Sequence, residues 1–134
     1  MARVVRGLRA LDVHPTTIIS SPAVRAIETA RILRRGLDGA PVIAEAEWLA
    51  PGTSLTATRA GLRSMSPEGD VAVVGHEPDL GALAAWLLGA RAPVAFKKGG
   101  VAAFEIARWP PKPPAHLIWF ATPALLRAIA DASS

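Results

Sequence analysis

Asp70-Val71-Ala72-Val73-Val74-Gly75-His76-Glu77-Pro78-Asp79-Leu80 is the stretch on which the fold turns. Its unbroken apolar run between Asp70 and Gly75 suits a parallel strand covered on both faces, since neither face of such a strand meets water. From about Pro78 to Leu88 the apolar residues Leu80, Leu83, Ala84, Leu87 and Leu88 predict the buried stripe of a helix. Strand, turn and helix in that order form the building unit of an open α/β sheet. The same unit stands earlier in the chain. Thr16-Thr17-Ile18-Ile19 is entirely β-branched and predicts a short buried strand. Ser20-Ser21-Pro22 then offers a capping hydroxyl and a proline for the first helical position. Ala23 to Arg35 reads as a helix with Ala26, Ile27, Ala30 and Leu33 on one face, ended by Gly36.

Outside these two units, Ala2 to Leu11 is an amphipathic helix that no turn or cap introduces, with Val4, Val5, Leu8 and Leu11 facing one way and Arg3, Arg6 and Arg9 largely the other. Pro41 to Ala44 predicts an edge strand, Trp48 to Thr53 a Pro/Gly loop, and Ser54 to Met65 a further helix. Strands are expected at Val94–Lys97, Val101–Ala107 and His116–Phe120, with Trp109 to Pro114 forming a stiff polyproline-like connector between the last two. A helix from Pro123 to Asp131 closes the chain. The expectation is one α/β domain over residues 1–134, a three-layer sandwich around a largely parallel sheet.

Composition narrows the function. A chain of 134 residues that is 51% hydrophobic and 19% charged has the makings of one packed domain and is a poor candidate for disorder. No apolar stretch approaches the roughly 18 residues of a membrane span. Without cysteine, disulfide scaffolds, thiolate zinc sites and thiol nucleophiles are excluded. Met1-Ala2-Arg3 opens no secretory signal, so the expected compartment is the cytoplasm. The net charge of +4 comes from 15 basic and 11 acidic residues that do not gather into one patch. Nucleic-acid binding is not expected, because no aromatic residues interleave a basic stripe.

Two polar segments follow directly on predicted strands, where open α/β sheets bind ligands. In the first, Arg25 falls in the opening helical turn and can present a planar fork of donors to a phosphate. In the second, Gly75 permits a turn, His76 follows the strand end, and the N–H groups that open the next helix form a local anion site. A histidine there can donate a hydrogen bond to a phosphoryl oxygen or shuttle a proton.

These segments resemble the histidine phosphatase superfamily. Ser20-Ser21-Pro22-Ala23-Val24-Arg25-Ala26 with Thr29-Ala30 is similar to its SSPxxRAxxTA segment, and Val74-Gly75-His76-Glu77-Pro78-Asp79-Leu80 to the second histidine segment of the SixA-type phosphohistidine phosphatases. Likeness continues through Leu49-Ala50-Pro51-Gly52, Phe96-Lys97-Lys98-Gly99-Gly100-Val101 and Trp119-Phe120-Ala121-Thr122-Pro123. The resemblance implies a phosphoglycerate mutase-like fold and a phosphohistidine phosphatase that works through a covalent phosphohistidine, with no metal or cofactor. It casts Arg25 and His76 as catalytic residues and Arg25, His76 and Glu77 as phosphate-binding residues. The implied partner is the phosphorylated histidine of a phosphotransfer or histidine-kinase domain, or a small phosphorylated molecule. A general acid has no clear equivalent, although Glu45 and Glu47 stand near the right region. A phosphoramidate needs such an acid less, because imidazole leaves more readily than an alkoxide.

One departure matters. The family's nucleophilic histidine lies in an Arg-His-Gly motif after its first strand, and none of His14, His76 and His116 lies in such a motif. His14 and His116 read as structural or surface residues. The expectation is therefore an N-terminally truncated domain whose missing first strand leaves a gap, or admits a foreign strand, between the strands ending at Ile19 and Val74. Three origins compete: an upstream segment, a phosphate-binding remnant without turnover, and a strand supplied by another molecule, as in a strand-swapped dimer.

Overall fold

The computed structural model describes residues 1–133. Its elements are α1 (Ala2–Ala10), β1 (Thr17–Ser20), α2 (Val24–Gly36), β2 (Val42–Glu45), a 3-10 turn (Glu47–Leu49), α3 (Leu55–Arg63), β3 (Val71–Val74), α4 (Asp79–Leu88), β4 (Val101–Glu105), β5 (His116–Ala121) and α5 (Pro123–Ala132). The architecture is the expected mixed α/β one, with a three-stranded parallel sheet and five helices. None of the described helices is long and apolar enough to cross a membrane.

β1 is the middle strand. It pairs in parallel with β2, Thr17 opposite Val42 and Ser20 opposite Glu45, and with β3, Thr17 opposite Val71 and Ser20 opposite Val74. The strands ending at Ile19 and Val74 are thus direct neighbours, and the gap expected between them is not there. β4 and β5 form a separate antiparallel ladder running from Val101 opposite Ala121 to Glu105 opposite His116. Among the described residues, β3 and β4 each have a strand partner on one edge only.

The helices form two groups. Val4, Val5 and Leu8 of α1 pack with Ala26, Ala30 and Leu33 of α2 and Leu126 of α5 over Ile18, Val74 and Ala121. Burying each of the larger side chains contributes roughly 1.5–3 kcal/mol. Contact between α1 and α5 depends on Gly7, where a Cβ would lie 2.1 Å from the carbonyl oxygen of Leu126. The arginines of α1 stay outside, Arg3 paired with Asp131 and Arg9 with Asp38 at 3.2 Å. A second cluster joins Leu62 of α3 to Leu83 and Leu87 of α4, with Trp48, Phe104 and Trp109 against it.

Four local expectations change. Val94–Lys97 is not a strand: its backbone is tied to the start of α4, Val94 N–H donating to Gly81 O at 3.3 Å and Phe96 N–H to Glu77 Oε2 at 3.3 Å. Gly36 does not end α2 but is its last helical residue, where a Cβ would meet Val5 Cγ1 at 2.3 Å, so the glycine serves close packing. The proline-rich connector does not run out as a stiff arm. Trp109 Nε1–H donates to Leu62 O at 3.0 Å and Ala115 N–H to Leu87 O at 2.6 Å, which fold it onto α3 and α4. Finally, β3 is only half-covered, with Val74 alone fully buried.

Candidate functional site

The three parallel strands end together at Ser20, Glu45 and Val74, and the ladder runs on into the loops that follow. Ser21 N–H donates to Val74 O and Ala46 N–H to Ser20 O, each at 2.9 Å. The segments after β1, β2 and β3 consequently leave from one edge of the sheet, the edge at which open α/β sheets collect ligands.

Side by side there, Ser21 and His76 meet. His76 Nε2 lies 2.8 Å from Ser21 Oγ, and the Ser21 hydroxyl also accepts the Ala23 N–H at 3.2 Å. Ser21 is fully buried while His76 keeps a partly open face. The serine read as a helix cap therefore acts ahead of the helix. α2 begins at Val24 with Ala23 in the cap position and no side-chain cap. Its opening N–H groups, which have no intrahelical partners, stay available to an anion.

Arg25 stands in that uncapped first turn, exposed and with no side-chain partner among the described residues. A cation in the first turn and the absence of a side-chain cap make the N-terminus of α2 the more electropositive of the two helix starts. At α4 the arrangement differs from the expected anion site. Leu80 N–H is taken by His76 O at 2.8 Å, Gly81 N–H by Glu77 Oε1 at 2.7 Å and Ala82 N–H by Pro78 O at 3.0 Å.

Glu77 was expected to bind phosphate, and its carboxylate is occupied otherwise. One oxygen holds Gly81, the other Phe96, so the side chain ties the His76 loop to the segment before β4. A carboxylate so placed also repels an anion rather than binding it. Asp79 does comparable work on the other side, its Oδ2 accepting Gly52 N–H at 2.9 Å and holding the Pro/Gly loop beside His76. Asp79 and His76 line a shallow crevice there together with Trp48, Thr53, Thr58 and Gly75. Glu45 and Glu47 are exposed near the same sheet edge. His14 is remote from it, bonded to Asp12 before β1 begins, and His116 is exposed at the start of β5.

The structure thus brings the segment leading into Arg25 at the start of α2 and the loop bearing His76 to one sheet edge. Ser21 and Asp79 are the residues that sequence reasoning undervalued. The only sequence signal for Ser21 is a pair of serines directly after a buried strand, which reads equally well as a cap. Together the groups offer a cation, open backbone N–H donors and an imidazole, a set suited to a small oxyanion.

No protein-family model matches the chain, and no curated protein matches it. Solved structures do. The protein histidine phosphatase SixA in complex with tungstate superposes with a TM-score of 0.77 at 21% identity, over 92% of this chain and 79% of that one. A SixA protein from Agrobacterium tumefaciens, assigned as a phosphohistidine phosphatase, superposes with a TM-score of 0.67 at 26% identity, over 90% of this chain and 77% of that one. Both likenesses span nearly all of the chain and most of each neighbour. The chain therefore has the fold of the SixA-type histidine phosphatases.

Proposed function

We propose that this domain binds the phosphoryl group of phosphohistidine, on a protein or on a small molecule, and serves a phosphohistidine phosphatase reaction. The observation that carries the reading is the hydrogen bond that joins His76 to Ser21, which stands just ahead of the uncapped helix start that bears Arg25. Likeness to two SixA structures supports a phosphatase in general, and tungstate in one of them is a tetrahedral oxyanion of phosphoryl shape. A transferring phosphoryl group carries its charge on three equatorial oxygens, and preorganised cations and N–H donors stabilise that charge. Arg25 would take two of these oxygens through its guanidinium fork, and His76 would donate to a third. In a reaction through covalent phosphohistidine, a nucleophilic histidine first accepts the phosphoryl group and water then removes it. The leaving imidazole of the substrate needs less help from an acid than an alkoxide would, in keeping with the carboxylates next to His76 in the chain, Glu77 exposed and Asp79 half-buried.

A second reading, a module that binds phosphorylated ligands without turnover, is favoured by the positions of the other two histidines. His14 lies before β1, at the end of the strand opposite Ser21, and His116 opens β5. One experiment separates the readings. The chain is titrated with inorganic phosphate and with tungstate by NMR, then incubated with phosphoramidate. Binding that Arg25→Ala weakens by tenfold or more supports the site, phosphoramidate hydrolysis selects the enzyme, and binding without hydrolysis selects the module. An absence of binding at millimolar oxyanion refutes both.

A further inference from the structure

We infer that Ser21 is a positioning residue that holds the imidazole of His76 in the tautomer protonated at Nδ1, so that the Nδ1–H is the donor His76 offers to a phosphoryl oxygen. Ser21 Oγ has one proton and two lone pairs. Ala23 N–H can only donate, so at 3.2 Å it uses one lone pair. His76 Nε2 at 2.8 Å is the other partner, and among the described residues the hydroxyl has no third. Ser21 is 0% exposed, which keeps water from taking the proton. Were Nε2 to carry a hydrogen and donate, the serine proton would be buried without an acceptor, an arrangement that folded proteins avoid. The hydroxyl therefore donates to Nε2, and the ring proton sits on Nδ1, the nitrogen without a partner among the described residues.

This is how a neighbour commonly sets the state of a histidine, the bond at one nitrogen deciding what the other can do. It also anchors one edge of the ring. With Nε2 bonded to a buried hydroxyl next to the β1–β3 ladder, the imidazole is held at the sheet edge from which the segment leading to α2 also leaves. The part of the inference that concerns phosphate rests on the proposed function above; the part that concerns the tautomer does not.

The test keeps the two apart. Long-range proton–nitrogen correlation spectra of the 15N-labelled chain report directly which ring nitrogen of His76 bears the hydrogen. In the unsubstituted chain the expected pattern is a protonated Nδ1 and an unprotonated Nε2. Ser21→Ala shifts the ring toward the Nε2–H form that an isolated histidine prefers in water, and Ser21→Thr, which keeps the hydroxyl, retains the Nδ1–H form. A protonated Nε2 in the unsubstituted chain overturns the proposal, and that measurement needs no variant to fold. Titration with inorganic phosphate supplies the functional arm. Affinity is expected to fall about tenfold in Ser21→Ala, the worth of one neutral hydrogen bond, and to recover in Ser21→Thr. Equal affinity in all three chains removes the positioning role. An Nδ1–H ring in a chain that ignores phosphate refutes the phosphoryl reading and leaves the hydrogen bond standing.

Discussion

β1 and β3 are neighbours of equal length, parallel and in register, yet one is sealed and the other is not. Ile18, Ile19 and Ser20 of β1 are at most 4% exposed, whereas Val71, Ala72 and Val73 of β3 are half-buried. By side chains alone the order should be reversed, because Val71-Ala72-Val73-Val74 is the more hydrophobic run. The difference lies in the neighbours. The α1, α2 and α5 cluster reaches both, over Ile18 and Val74, but β1 has a strand on each side while β3, among the described residues, has a strand partner on one edge. Burial of a strand is set by what flanks and covers it as much as by its own residues.

Substitutions sharpen the contrast. The largest loss is expected from Ile18→Ala, which empties a fully buried site and should cost about 3 kcal/mol in urea unfolding. Gly7→Ala comes next. Its methyl would run into the Leu126 carbonyl and lift the α1 and α5 cover off β1, for about 2 kcal/mol with no change in the far-ultraviolet signature of the helices. Val73→Ala on β3 should cost about 1 kcal/mol or less, since a half-buried valine has less to lose. Equal costs for Ile18→Ala and Val73→Ala would break the comparison. Smallest of all, Arg25→Ala should leave stability within about 0.5 kcal/mol, because the side chain is exposed, while its effect on oxyanion binding is large.

The helices were largely legible because each carries its own periodic stripe. Val4, Val5 and Leu8 in α1, and Ala26, Ala30 and Leu33 in α2, are buried as their spacing predicted. Ser54 and Thr122 cap α3 and α5 through local hydrogen bonds at 3.1 Å, which a few residues of sequence suffice to indicate. Illegible were the features decided by distant partners. Nothing local in Val94-Ala95-Phe96-Lys97 reveals that its N–H groups serve Gly81 and Glu77 rather than a strand. Likewise Ser21 reads as a cap until His76, 55 residues away, is brought beside it. The two candidate loops could be found from their position after apolar strands. Which of their groups face a ligand, and which are tied into the scaffold as Glu77 is, depends on contacts that sequence spacing does not encode.

The hydrogen bond from Ser21 N–H to Val74 O carries the β1–β3 ladder one residue past the end of the sheet. Backbone atoms, not loop side chains, thereby measure the distance between the serine and the histidine that follows Val74 by two residues. A ruler made of main chain is indifferent to substitution. Most positions around it can drift without changing the spacing of the polar groups it holds, so long as the two strands stay paired. A site built this way can keep its geometry while the letters that spell it are replaced, which fits a fold shared with other chains at only 21% and 26% identity.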